Sequence, residues 1–450
     1  MSKIKIISFL LMFALSFSCA EAKKLNIEDI IKKSGLDESA TVAVSVKDAK
    51  SGNVEFEYNQ HKLLHPASIL KVLTLTSALN TLGMDYKFKT TINKSKNNDI
   101  YIKLGADPFL TTKQLKNALS KVKGIPINNF YIDDKVIDRQ EWGTGWMWDD
   151  ETNSRMAKIS PYNLDKNLVT LKVSPTTIGE QAKIVALNDK ATAVFNLTTS
   201  ANKTDVHTYR QNAISPNMLY VWGNVANEVV LNVPVSSPER VFVSYVEKLV
   251  NDSSSSNIAI NISKTPENTE MIAAIENDIK PAISAILTDS DNFYAETVFK
   301  VAGGKFTNSQ GSFSNSKTMF DKYYESLGLN MSDVVLADAS GVSRNNLISA
   351  DWVSEAFCKI QSDKNFHVIR ENMATPSKGT LKNRMQNLEG KVWAKTGTLA
   401  NISTIAGYVV DEQNKEHVFV IFVQNAKQSD VAKVRALQDE IIMNIQQRRK

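Results

Sequence analysis

The sequence predicts an α/β (α+β) chain in which an antiparallel sheet is flanked by helices and two β-rich domains are inserted. Three observations carry that expectation. Hairpin patterns stand near both ends of the chain, amphipathic or fully apolar helices lie between them, and the texture changes from about residue 91 to about 270. Strands contributed by both ends with helices between them describe one sheet completed by the two termini.

The first hairpin is Thr41-Val-Ala-Val-Ser-Val46 and Val54-Glu-Phe-Glu-Tyr58, alternating around Lys50-Ser51-Gly52-Asn53. A helix over 68–82 follows, with Leu70, Val72, Leu73, Leu75, Leu79 and Leu82 spread over nearly every side and Gly83 as its stop. A helix of that kind belongs inside a core. The stretch 91–270 holds short strand-like runs, the turn-rich Asp252-Ser-Ser-Ser-Ser256 and three tryptophans within seven residues, Trp142, Trp146 and Trp148. Long helices are scarce there, and the tryptophans read as a small local core in preference to a ligand platform. Helical periodicity returns at 292–301, 316–327 and 350–360. The second hairpin, 404–410 and 417–423, turns around 411–415, and a last helix aligns Val431, Val434, Leu437, Ile441 and Ile445. The expected division is 23–90 with 270–450 as the main domain, 91–172 with 234–269 as one insert, and 173–233 as a second.

Composition excludes several classes. The 450 residues carry 53 Lys+Arg against 48 Asp+Glu, with 42% hydrophobic and 22% charged residues. That is a globular composition with no dense basic cluster of the kind a nucleic-acid partner requires. Five His and two Cys leave little for a metal centre, and His61 and His65 lack a third ligand. Residues 1–22 read as a secretory leader: Lys3 and Lys5, an apolar run over 6–17, then Ala20-Glu21-Ala22 before the cut. Cys19 raises the rival idea of a lipid anchor, but Ser16-Phe17-Ser18 matches such a site poorly. Removal of the leader leaves one thiol, Cys358, set among Trp352, Val353, Ala356 and Phe357 as a core residue. The expected setting is an exported, periplasmic protein without disulfides. The basic tail Gln447-Arg-Arg-Lys450 reads as a frayed helix end in preference to a membrane contact.

Three elements can carry chemistry. Ser68-Ile-Leu-Lys71 places a hydroxyl and an amine on one helix face, at the end where free N–H groups and a positive dipole lie. A buried lysine of lowered pKa can take the proton of such a serine. Ser-x-x-Lys also occurs elsewhere, at Ser2, Ser120, Ser200 and Ser314, but only the Ser68 copy opens a buried helix. The second element is Lys395-Thr396-Gly397-Thr398 before the last hairpin, where Gly permits close backbone approach and the Thr hydroxyls and Lys suit a carboxylate. For the third, two Ser-x-Asn triplets compete. Ser290-Asp291-Asn292 leads straight into a helix and reads as its N-cap. Ser343-Arg344-Asn345 follows the turn cluster Asp338-Ala-Ser-Gly341 and is favoured as catalytic, leaving Ser290 and Asn292 a structural role. The order Ser-x-x-Lys, Ser-x-Asn, Lys-Thr-Gly is a known set of β-lactamases and penicillin-binding proteins.

Over nearly its whole length beyond the leader, the chain resembles the D-alanyl-D-alanine carboxypeptidase/endopeptidase family of class C low-molecular-mass penicillin-binding proteins. The likeness rests on His65-Pro-Ala-Ser-Ile-Leu-Lys71, Gly105-Ala-Asp-Pro-Phe-Leu-Thr111, Trp146-Met-Trp-Asp-Asp150, Ser290-Asp-Asn292 with Ala295-Glu296, Asp338-Ala-Ser-Gly-Val-Ser-Arg-Asn-Asn-Leu347, Gly379-Thr-Leu381 and Ala394-Lys-Thr-Gly-Thr398. Ala106 departs from it where relatives often carry Gly. The resemblance implies a transpeptidase-like serine DD-peptidase/β-lactamase-type domain with two β-rich inserts. It further implies an acyl-enzyme on Ser68 formed from peptidoglycan stem peptides, Lys71 as base, Ser343 and Asn345 assisting, and Lys395, Thr396, Gly397 and Thr398 binding the substrate. β-Lactam antibiotics are the implied covalent inhibitors, and no cofactor or metal is called for. The alternatives are a β-lactamase and a non-catalytic wall-binding protein.

Overall fold

The structure, a computed structural model, describes residues 25–187, 192–210, 218–252 and 258–448. The expected leader and Cys19 lie outside them. One five-stranded antiparallel sheet runs in the order Val392–Leu399, Ile402–Val410, Glu416–Gln424, Thr41–Asp48, Val54–Tyr58. The two ends of the chain meet in its middle, with Thr41 opposite Gln424. Both faces are covered. Val42, Val44, Val46, Phe419 and Ile421 pack with the Ile27–Ser34 and Val431–Gln446 helices, while Ala43, Val418, Val420 and Phe422 pack with the helices inside. Burial on both sides explains the near-continuous apolar run of Glu416–Gln424.

Against the inner face lie Leu70–Leu82, Asn292–Thr307 and Ala350–Lys359. The first begins as one 3-10 turn, Ala67–Ile69, and ends where the Gly83 N–H bonds Leu79 O. Its residues 70–79 and Leu82 are all buried, as its all-round apolar pattern requires. Cys358 is half-buried on the last of these helices, and burial pushes its thiol up to about 11, away from reactivity.

The interposed chain forms a second five-stranded sheet, Ile260–Ile262, Phe130–Asp133, Ile100–Lys103, Lys87–Lys94 and Glu270–Asp278. Two three-stranded sheets, one containing Leu168–Ser174 paired with Val229–Pro234, share a core of Val169, Leu171, Leu219 and Val221. The expected scarcity of long helices fails at Pro238–Asn251, fourteen residues long. Ser237 caps it through the Arg240 N–H, Pro238 opens its first turn, and Phe242, Val246 and Val250 recur every four residues onto the second sheet's core. The tryptophans divide: Trp142 and Trp146 meet edge to face at 5.0 Å, whereas Trp148 is 79% exposed.

Candidate active site

Ser68 sits in the 3-10 turn that opens the buried helix, and its backbone is held from two sides. Pro66 O accepts the Thr404 hydroxyl at 2.8 Å. Ala67 adopts a left-handed φ of 47°, which costs an Ala residue energy and needs surrounding support. Gly341 supplies part of it, packing so closely that a Cβ there would lie 1.9 Å from Ala67 O. Gly397 approaches from the sheet, where an added Cβ would lie 2.7 Å from Ser68 N. The expected need for glycine in the Lys-Thr-Gly element is thus a need for room beside the serine's amide.

The Lys71 amine, fully buried, lies 2.9 Å from Ser68 Oγ, 2.6 Å from Asn292 Oδ1 and 2.6 Å from Ser340 O. Those three acceptors saturate an ammonium. Burial lowers the pKa of Lys71 to about 8, opposed by the carboxylates of Asp338, Glu296 and Asp291. Once neutral, the amine has a lone pair to receive the Ser68 proton along the same 2.9 Å line. Lys395, also fully buried, donates to Ser290 Oγ at 2.8 Å and Thr396 O at 2.9 Å. Burial, and then the nearby Lys71 charge, hold its pKa well below the ordinary lysine value.

The structure therefore brings Ser290 and Asn292, not Ser343 and Asn345, to the two lysines. The N-cap role expected of the first triplet falls to its middle residue: Asp291 alone caps the helix, accepting the Tyr294 N–H at 3.2 Å, and it also binds Lys166 at 2.6 Å. With the cap supplied by the middle residue, the flanking ones are free to face inward. Ser290 does so from a left-handed φ of 63°, and Asn292 Nδ2 donates to Arg155 O at 3.1 Å, which turns its oxygen toward Lys71.

In the second triplet Ser343 is buried within its own loop and Asn345 is exposed. Asp338 accepts N–H groups from Gly341, Ser343, the Asn346 side chain and the Trp146 indole, all at 2.6–2.8 Å. Ser343 Oγ accepts the Asn345 N–H at 3.2 Å, and both side chains abut Gly145. Among the described residues, no hydrogen bond joins either side chain to Ser68, Lys71 or Lys395. The loop still serves the site through its backbone. Glu296, one turn into the Asn292–Thr307 helix, accepts the N–H groups of Ala339 and Ser340 at 3.0 and 2.8 Å and so aims Ser340 O at Lys71. Neither Glu296 nor the Ser340 carbonyl is marked as part of the site by the sequence, although Ala295-Glu296 stands beside the triplet.

Thr396 and Thr398 lie on Val392–Leu399, the edge strand of the sheet. The Ala394 N–H and C=O pair outward with Ala374, which blunts the edge at that point. By the period of two, Thr396 and Thr398 also turn their backbone groups outward, beyond the blunted part. An open half-edge next to Ser68 is a place where an extended peptide can add as a strand. The Thr396 hydroxyl donates to Thr380 Oγ1 at 2.7 Å, bringing Gly379–Leu381 to the rim. Among the described residues, no group of three or more His, Cys, Asp or Glu is placed to hold a metal. None of their helices is long and apolar enough to cross a membrane.

A model of the D-Ala-D-Ala carboxypeptidase 3 (S13) family matches residues 23–445. The chain belongs to that family. It is accordingly a serine-type D-Ala-D-Ala carboxypeptidase, a hydrolase. D-alanyl-D-alanine carboxypeptidase DacB of Haemophilus influenzae is 22% identical to this peptidase over 448 residues, 94% of this chain and 93% of that one. A D-alanyl-D-alanine carboxypeptidase of an Actinomadura species is 25% identical over 425 residues, 85% of this chain and 78% of its own. The crystal structure of penicillin binding protein 4 from H. influenzae superposes with a TM-score of 0.78 at 20% identity, covering 93% of this chain and 99% of that one, which establishes the shared fold. A structure of that same protein complexed with a β-lactam superposes with a TM-score of 0.74.

Proposed function

We propose that Ser68 is the nucleophile that cuts the bond after the penultimate D-alanine of peptidoglycan stem peptides, in the cell-wall compartment outside the inner membrane. The observation that carries this is the buried Lys71 amine 2.9 Å from Ser68 Oγ, held there by Asn292 and Ser340. Neutral Lys71 takes the Ser68 proton as Oγ attacks the carbonyl carbon. Negative charge then develops on the carbonyl oxygen, facing the N–H groups of Ser68 and Thr398, the latter turned outward by strand alternation. As the C–N bond breaks, the proton that Lys71 took is handed on through Ser290, itself bonded to Lys395, to the leaving amine, which leaves Lys71 neutral and the Ser290 hydroxyl intact. Asn292 keeps Lys71 in register, and the Thr396 and Thr398 hydroxyls with Lys395 receive the terminal carboxylate. Water next cleaves the Ser68 ester. The same steps serve a cross-linked D-alanyl bond if its strand enters the open half-edge, so both carboxypeptidase and endopeptidase action fit the site. A β-lactam follows the first step but opens its ring without releasing a fragment, and so stays on Ser68.

Intact-mass measurement before and after benzylpenicillin tests this. One stable adduct, absent from Ser68→Ala, is expected. Drug recovered hydrolysed without an adduct would instead mean a β-lactamase, and intact drug without an adduct would leave a wall-binding protein.

A further inference from the structure

A cleft of about 750 Å³ opens between the second five-stranded sheet and the C-terminal end of the Asn292–Thr307 helix. Six lysines line it, Lys87, Lys89, Lys103, Lys135, Lys264 and Lys305, against a single carboxylate, Asp133. The chain as a whole is close to balanced, with 53 Lys+Arg and 48 Asp+Glu, so this is a local concentration of charge. Strand alternation produces part of it: Lys87 and Lys89 point outward between buried Phe88 and Thr90, and Lys103 ends the neighbouring strand.

The charges are incompletely compensated. Asp133 is 3% exposed, and its oxygens accept the backbone N–H groups of Lys135 and Thr265 at 3.3 and 2.8 Å. Glu276 serves Lys89 at 3.0 Å and Lys87 at 3.9 Å, and Asp134 lies 3.3 Å from Lys135 while binding Arg139 as well. Among the described residues, no ion pair joins Lys103 or Lys264. Lys305 lies over the Tyr86 ring at 5.5 Å and donates to Leu82 O at 3.3 Å, at the carbonyl end of the Leu70–Leu82 helix. The walls are fixed to each other: Gly311 N donates to Val136 O at 3.0 Å, and Asp138 N to Gly311 O at 2.7 Å. A preformed, concave, positive cleft concentrates anions and holds them through ammonium point charges that need no planar fork.

We propose that this cleft is a second binding site for the wall polymer, holding the free carboxylates of stem peptides other than the one being cut. The proposal rests on the substrate class proposed above. A strand suits the cleft better than a bilayer because the lysines line a concave space, whereas a membrane surface requires a flat or convex face. The Asn292–Thr307 helix, with the active site at its first residue and the cleft at its last turn, has sixteen residues and is about 24 Å long. A strand held in the cleft is therefore distinct from the stem at Ser68.

The test compares the full chain with its K87Q/K89Q/K103Q/K264Q variant, with K103Q/K264Q as a milder second. Co-sedimentation with purified peptidoglycan sacculi is measured at low and high salt, beside D-alanine release from sacculi and from a short D-Ala-D-Ala peptide. Expected is a loss of about tenfold in sacculus binding and release for the quadruple variant, a smaller loss for the double, and unchanged turnover of the short peptide. High salt should bring the parent protein to the level of the variant. Equal sacculus binding by all three proteins would overturn the proposal. So would lysine-dependent binding to phosphatidylglycerol vesicles with sacculus binding unaffected, which would make the cleft a lipid-headgroup contact. If the parent protein fails to turn over the short peptide, the carboxypeptidase reading falls, while the sedimentation comparison still decides the cleft.

Discussion

Two Ser-x-Asn triplets stand close to the same lysine and do opposite things with their side chains. Around Ser290 and Asn292, polar atoms point away from their own segment, to Lys395 and Lys71 on other elements. Ser343 Oγ instead accepts the Asn345 N–H inside its own loop, which Asp338 ties together, and both side chains abut Gly145. A catalytic side chain must leave its bonding capacity available to a partner that changes charge. A structural one is stable when that capacity is used up locally. Under the proposed mechanism, identical residue types serve reaction in one place and shape in the other.

Substitution breaks the comparison most sharply at its two anchors. Ser68→Ala should abolish acylation and reduce peptide turnover by about 10⁴-fold or more, read from benzylpenicillin labelling and D-alanine release. Asn292→Ala removes one of the three acceptors on Lys71 and should slow acylation by about 10²-fold with little change in melting temperature. Asn345→Ala should slow it by less than about threefold, because its side chain touches neither lysine. If those two effects were reversed, the catalytic assignment of the triplets would be reversed with them.

Asp338→Ala should instead act on stability. It strands several buried N–H donors at once, and a loss of about 3 kcal/mol or more is expected in urea denaturation. Acylation of the remaining folded enzyme should also fall, since Ser340 O would lose its position. The pH profile sharpens the contrast. Lys71 has its pKa lowered from 10.5 to about 8, chiefly by burial, so its reactive neutral form grows as pH rises through 8. The acylation rate should drop about tenfold per unit below that point and level off above it. The same lowering means that the unfolded chain binds the proton more tightly, so the lysine's burial costs stability below its folded pKa. That cost fades as pH rises from about 8 toward 10.5. The smallest effect expected is that of Ser343→Ala, within about 1 kcal/mol in stability, since only its amide holds Asp338.

Much of this architecture was legible before any coordinates. The hairpins at both ends, the buried helix after Pro66 and the late helices follow from periodicity, and Ser68, Lys71 and Lys395 follow from spacing and from the helix they open or the strand they join. The choice between triplets was not legible. It turned on whether Ser290, Asp291 or Asn292 capped the helix, and three adjacent capping residues look alike in one dimension. Pro238–Asn251 was legible in principle, from Ser237-Pro238 and its four-residue apolar spacing, but was submerged in a strand-rich stretch. The Ser340 carbonyl had no signature at all, because any residue carries one; only Glu296 gripping the two N–H groups around it gives it a role.

The pairing of Thr41 with Gln424 in the middle of the sheet has a consequence for the birth of the protein. A strand near the start of the chain waits for a partner near its end, and Ala67 waits for Gly341 before the backbone beside Ser68 is supported. Contacts so distant along the chain make for slow folding. An emerging polypeptide therefore carries Ser68 long before it carries the contacts that hold Ser68 in place. The proposed site is complete only after the strands over 392–424 have been made, a delay written into the topology.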